Sequence, residues 1–89
     1  MKSVVTQGFR KLLEGLPAET RSQAGRAYAL WRSDANHPSL HFKRVSPRQP
    51  IYSVRVGIGY RALALLEAEC ICWFWIGSHA EYDQFLKRL

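Results

Sequence analysis

Ile51-Tyr52-Ser53-Val54-Arg55-Val56-Gly57-Ile58-Gly59-Tyr60-Arg61-Ala62-Leu63 is the stretch from which the rest of the chain is read. Apolar and polar residues alternate along its first arm, and two glycines stand where a tight connection needs conformational freedom, so it predicts two strands joined at Gly57-Ile58-Gly59. With a three-residue loop, Val56 faces Tyr60, Arg55 faces Arg61 and Val54 faces Ala62. Tyr52, Val54, Val56, Tyr60 and Ala62 then share one face and can join a core. Arg55 and Arg61 fall on the other face, directly opposite each other. Like charges so paired, with Cβ atoms about 5 Å apart, destabilise a sheet. Folding alone gives no reason to place them there, whereas an anion bound between them does.

The segments before the hairpin supply helices. Val4 and Val5 suggest a short first strand. Phe9, Leu12, Leu13 and Leu16 follow the i, i+3, i+4, i+7 spacing of an amphipathic helix, which Gly15 and Leu16-Pro17 end because a residue before proline is driven out of the α region. Pro17 suits the first turn of a second helix, with Glu19 favourable near its N-terminus. Ala24, Ala27, Tyr28 and Trp31 repeat the apolar stripe there. The pair reads as a helical hairpin in need of a sheet. Asp34 to Ser39 is turn chemistry, and Leu40 to Val45 reads as a strand with Leu40 and Phe42 on one side and His41 and Lys43 on the other. Ser46-Pro47-Arg48-Gln49-Pro50 is a loop.

Beyond the hairpin, Glu67-Ala68-Glu69 is a turn. Cys70 to Ile76 is apolar on both faces, as a central strand covered on both sides would be. Gly77-Ser78 is expected to break it, and His79 to Leu89 reads as a C-terminal helix with Tyr82, Phe85, Leu86 and Leu89 on one stripe. The expectation is one α+β domain over residues 1–89: two N-terminal helices on a small twisted antiparallel sheet, closed by a short C-terminal helix.

Thirteen Lys and Arg against seven Asp and Glu give a formal charge of +6. That excess favours a polyanionic partner, nucleic acid before an acidic protein or an anionic membrane. The longest apolar run is far short of the roughly 20 residues that span a bilayer, and no signal-peptide core opens the chain, so a cytoplasmic protein without a membrane partner is the expectation. Cys70 and Cys72 at i and i+2 on a strand are poorly placed for a disulfide. With His79 they lack a fourth zinc ligand at a recognisable spacing, so no metal is expected.

His41, Lys43, Arg55 and Arg61 would share the polar face of the sheet, and Ser53 joins them by alternation. His79 and Tyr82, at i and i+3, can point to one side of a helix start. Taken singly, each histidine reads as a surface or capping residue and Tyr82 as packing. Together they offer cations for a phosphate and an imidazole or phenol for proton transfer. No carboxylate cluster is placed to hold magnesium, so metal-independent RNA cleavage fits: a base deprotonates a ribose 2′-OH, the oxygen attacks the adjacent phosphorus, and an acid protonates the departing 5′-oxygen.

Leu16-Pro17, His37-Pro38-Ser39-Leu40-His41-Phe42-Lys43, Tyr52-Ser53-Val54-Arg55-Val56-Gly57, Tyr60-Arg61 and Trp75-Ile76-Gly77-Ser78-His79-Ala80-Glu81-Tyr82, in this order, resemble the toxins of the RelE/ParE superfamily of bacterial type II toxin–antitoxin systems. For the RelE branch the resemblance implies an mRNA endonuclease that acts on the ribosome without cofactor or metal and is silenced by a cognate antitoxin. It implies catalytic roles for Arg55, Arg61, His79 and Tyr82, with Arg55 and Arg61 on the phosphate, His79 as base or acid, and Tyr82 as orienting group or alternate acid. His41, Lys43, Arg44 and Ser53 would hold RNA. Ser53 stands where the branch commonly has a cation, and His79 where it commonly has arginine. The alternatives are a ParE-type inhibitor of DNA gyrase and a catalytically inactive basic module that binds RNA or protein.

Overall fold

The computed structural model describes residues 1–89. The order of elements is β1 (Lys2–Val5), α1 (Gln7–Glu14), α2 (Ala18–Ser33), a 3-10 turn (Pro38–Leu40), β2 (Lys43–Arg44), β3 (Ile51–Val56), β4 (Tyr60–Glu67), β5 (Cys70–Ser78) and α3 (His79–Lys87). The strands form one sheet in the order β1-β5-β4-β3-β2. Strands β2 to β5 are antiparallel to their neighbours, as expected, and β1 joins the far edge parallel to β5, which makes the sheet mixed. A parallel pair needs a crossover between its strands. Here everything from α1 to β4 serves as that crossover, a long-range pairing that Val4 and Val5 alone do not announce.

The hairpin has the expected register: Val54 pairs with Ala62, Arg55 with Arg61 and Val56 with Tyr60. Gly57 carries the left-handed backbone, at φ +60°, and Gly59 does not. A Cβ on Gly57 would also displace the end of the Gln23 side chain of α2, but it is the backbone that requires glycine.

One face of the sheet carries the main core. Trp31, Leu40, Val54, Val56, Ala62, Ala64, Ile71, Trp73 and Ile76 are buried there, with Phe9 and Leu13 of α1, Leu16 just past its end, and Ala24, Ala27 and Leu30 of α2 packed against them. Trp31 is the hub: its ring meets Trp73 edge-on at 5.3 Å and Phe42 edge-on at 5.9 Å. Thr6 caps α1 by accepting the Phe9 N–H at 3.0 Å, and Gly15 closes it. The two helices do not form a tight pair. Helix α1 leans on β5 and α2 on β3, and an apolar cavity of about 240 Å³ lies between them.

The second face carries a smaller core under α3, in which Ile51, Leu63 and Tyr82 are buried among Phe74, Trp75, Phe85 and Leu86. A β-bulge makes it possible. Ala64 pairs with Trp73 and Leu63 with Trp75, which leaves Phe74 without a partner on β4. The extra residue reverses the alternation, so Trp73 enters the main core while Phe74 and Trp75 both face α3. Plain alternation would have put both tryptophans on one face.

Two expectations are corrected. The segment Leu40 to Val45 is not one strand, because only Lys43 and Arg44 pair with β3. Pro38 opens a 3-10 turn, His37 Nδ1 accepts the Ser39 N–H, and Leu40 is drawn into the core at 2% exposure, so His41 leaves the turn in a left-handed conformation (φ +47°). Nor does Gly77-Ser78 break β5: Gly77 pairs with Arg61 and Ser78 with Tyr60. Strand passes directly into helix because Ser78 is both the last ladder residue and the N-cap of α3.

Candidate functional site

The junction of β4, β5 and α3 is built by a capping box. The Ser78 hydroxyl accepts the Glu81 N–H at 3.2 Å, while the Glu81 carboxylate accepts the Ser78 N–H at 2.9 Å. The Ser78 backbone N–H, and after it the Ser78 hydroxyl, hold the Glu81 carboxyl below its usual range against a small opposing effect of burial. The next residue, His79, donates its backbone N–H to the Gly59 carbonyl at 2.8 Å, which ties the start of α3 to the β3–β4 turn.

With α3 so fixed, the His79 ring stacks on Tyr82 at 5.9 Å between centroids, with 24° between planes. The Arg61 guanidinium also sits over the Tyr82 ring, 5.6 Å from its centroid. Tyr82 is 5% exposed, and its hydroxyl donates to Ser53 Oγ at 3.2 Å. Arg61 Nη1 is buried and has no hydrogen-bond partner. A guanidinium has five N–H donors and stays charged, so a buried arm left unpaired is costly. Arg61 of β4 is thus brought into one cluster with His79 and Tyr82 of α3: an exposed imidazole and a cation around an aromatic ring.

Arg55 lies across the ladder from Arg61 but turns along the open edge of β3, where its Nε donates to the Gly57 carbonyl at 2.9 Å. Lys43 is exposed opposite Ser53, on the same face as the cluster. Of the other three expected RNA contacts, Ser53 is corrected. Ser53 lies on that face but has no exposed surface, being sealed beneath the Tyr82 hydroxyl, so it is a support and not a contact. Arg44 is exposed but pairs with Tyr52, whose ring stacks on Phe42 on the opposite side of the sheet from the cluster, and its Nε donates to the Ser46 carbonyl at 2.9 Å. His41 is exposed in the left-handed linker and belongs to no strand face.

Gly77 is a contributor that sequence reasoning missed. It stands opposite Arg61 on β5, and a Cβ there would meet the Trp75 ring at 2.5 Å and come within 3.1 Å of a Glu81 carboxylate oxygen. Its sequence context suggests a strand breaker, whereas its lack of a side chain lets the Trp75 ring and the capping box close beside Arg61. No group of three or more His, Cys, Asp or Glu residues is gathered in metal-holding range, and Cys70 and Cys72 are free thiols.

The sequence model of the ParE-like toxin domain matches residues 18–84, which include every residue of the cluster. Comparison with curated protein sequences gives no significant match. Among solved structures, the chain is similar to a RelB–RelE antitoxin–toxin complex from Methanococcus jannaschii, with TM-score 0.73 and 16% identity over 92% of this chain and 96% of that one. It is also similar to an archaeal RelE–RelB complex from Pyrococcus horikoshii (TM-score 0.66, 12% identity, 86% and 92% covered). Isolated E. coli RelE toxin follows with TM-score 0.63 and 15% identity over 98% and 96% of the two chains. These likenesses are of fold.

Proposed function

From the premise that this chain belongs to the ParE-like toxin domain family, within the RelE/ParE superfamily, we propose that it is an endoribonuclease that cleaves messenger RNA on the ribosome without a metal and is neutralised by an antitoxin. The observation that carries the reading is the Arg61 guanidinium held against the stacked His79–Tyr82 pair. In this reading Arg61 binds the scissile phosphate and the charge that grows on it in the transition state. The ribose 2′-oxygen attacks phosphorus, the bond to the 5′-oxygen breaks, and the strands part as a cyclic 2′,3′-phosphate and a 5′-hydroxyl. His79, the exposed imidazole of the cluster, moves a proton at one of those two oxygens. Tyr82 acts as the orienting group, because its hydroxyl is engaged by Ser53 and its ring is the surface on which both partners rest. Lys43 extends the cationic surface toward the next phosphate.

An antitoxin partner is supported by the two archaeal neighbours, which are toxin–antitoxin complexes. It is supported also by the +6 charge, which suits an acidic segment that folds on the toxin. A second reading, poisoning of DNA gyrase, is favoured by the ParE-like sequence model. One experiment separates the two. Purified protein is incubated with translating ribosomes and the 5′ ends of the message are mapped. Cuts that vanish in Arg61→Ala and His79→Ala are the expected result, with rate losses of about 10²–10³-fold and about 10²–10⁴-fold. An intact message alongside accumulating gyrase-cleaved DNA would replace the first reading with the second.

A further inference from the structure

Strand β2 covers β3 only as far as Ser53, so the edge of β3 beyond it is open. The Val45 N–H donates to the Ile51 carbonyl at 2.8 Å, which shows that Ile51 presents its backbone groups to the β2 side. Two residues on each time, Ser53 and Arg55 do the same. The Arg55 N–H and C=O therefore point into the space that β2 vacates.

That space is a cleft of about 450 Å³ between the β3 edge, the 3-10 turn and α2, bordered by Gln23, Arg26, Ser39, Leu40, Arg55 and Gly57 among others. Its chemistry is one-sided. Two arginines, Gln23 and Ser39 border it from three elements, with Ser39 Oγ 2.9 Å from His37 Nδ1, and no carboxylate lines it. Arg55 uses Nε on the Gly57 carbonyl, which fixes the direction of the guanidinium and leaves its terminal amino groups free. Arg26 is exposed on α2 and is held only by Nη1 donating to Ser22 Oγ at 3.3 Å. Two arginines beside an unpaired strand-edge amide match the oxygens of a phosphodiester.

We propose that this cleft is a second phosphate-binding site, distinct from the His79–Tyr82 cluster, which takes the backbone of the same single-stranded RNA next to the scissile phosphate. The inference rests on the RNA-cleaving reading above. Arg55 links the two places, since it faces Arg61 across the ladder and lines the cleft at the strand edge. The strand would run from Arg61 over the β3 edge and past Arg26, so that α2 holds substrate as well as packing the core.

The test uses the full chain and a short 2′-O-methyl RNA oligonucleotide, which lacks the attacking hydroxyl and so reports binding alone. Arg26→Ala is expected to weaken binding about 5–10-fold and to flatten the dependence of log affinity on log salt by about 0.7, the share of one single-strand phosphate. Arg26→Lys should restore most of both, and Gln23→Glu, which places a carboxylate in the cleft, should weaken binding at least as much as Arg26→Ala. With cleavable RNA the Arg26→Ala loss should appear in KM more than in kcat. Wild-type protein that cuts RNA while Arg26→Ala binds the oligonucleotide with unchanged affinity and salt slope would overturn the second site alone. Wild-type protein that neither binds nor cuts RNA would overturn the nuclease reading and the cleft together. A loss confined to binding of an acidic peptide would reassign the cleft to a protein partner and overturn the RNA proposal.

Discussion

Tyr82 is the residue on which the two roles of this surface meet. Its ring is buried among Ile51, Leu63 and Phe85, as an ordinary core aromatic would be, while His79 and Arg61 rest on the same ring. If Tyr82 orients and does not donate a proton, Tyr82→Phe keeps the ring and loses only the hydroxyl. Cleavage is then expected to persist within about tenfold of wild type, measured as the initial rate on a defined message. Stability should fall by about 1–3 kcal/mol in denaturant unfolding, because Ser53 Oγ is left unpaired in a site without solvent. Ser53→Ala on that background should restore part of the loss, since removing both partners costs less than orphaning one. The arginine opposition was legible at this scale because it breaks a rule of strand pairing. The support role of Ser53 was not, since alternation gives the face a residue occupies but not whether a later helix covers it.

Helix α3 is placed by its first turn. Ser78→Ala removes the cap and is expected to cost about 0.5–2 kcal/mol by thermal or chemical unfolding. The Glu81 half of the box adds a pH dependence whose sign follows from its lowered carboxyl. The contribution is present in full above 4.5, the ordinary value for this group, and is lost as pH falls through the lower folded-state value. Acid unfolding followed for wild type and Glu81→Gln should therefore show curves that differ at neutral pH and converge as the solution becomes strongly acidic. Helix α2 offers the opposite test. Gly25 is a mid-helix glycine, and a Cβ there would meet nothing within 4 Å. Gly25→Ala should raise stability by about 0.5–1 kcal/mol. Helices and hairpin could be read from local sequence because periodicity, proline and glycine act over a few positions. The shortened β2, the parallel β1 and the bulge at Phe74 could not, because each is decided by what lies across the sheet.

The whole molecule is one sheet with a larger core on the helical-pair side and a smaller one beneath α3, and the cluster belongs to the smaller. Position in this architecture sets how the site fails. Leu63 has no exposed surface and pairs with both Ser53 and Trp75, so it floors the ground on which Tyr82, Phe85 and Leu86 stand. Leu63→Ala is expected to cost about 2–5 kcal/mol, with the cavity opening directly under α3. The main core, centred on Trp31 and Trp73 across the sheet, keeps its contacts. Hydrogen exchange should then show amides of α3 losing protection first, while those of β3 and β4 stay slow, because local opening begins where the fewest apolar contacts hold an element. Cleavage should fall with the loss of α3 protection even under conditions where the bulk of the chain remains folded, since Arg61 then keeps its strand but loses the Tyr82 ring and the His79 imidazole. Uniform loss of protection across both cores would show instead that the two faces unfold as one unit.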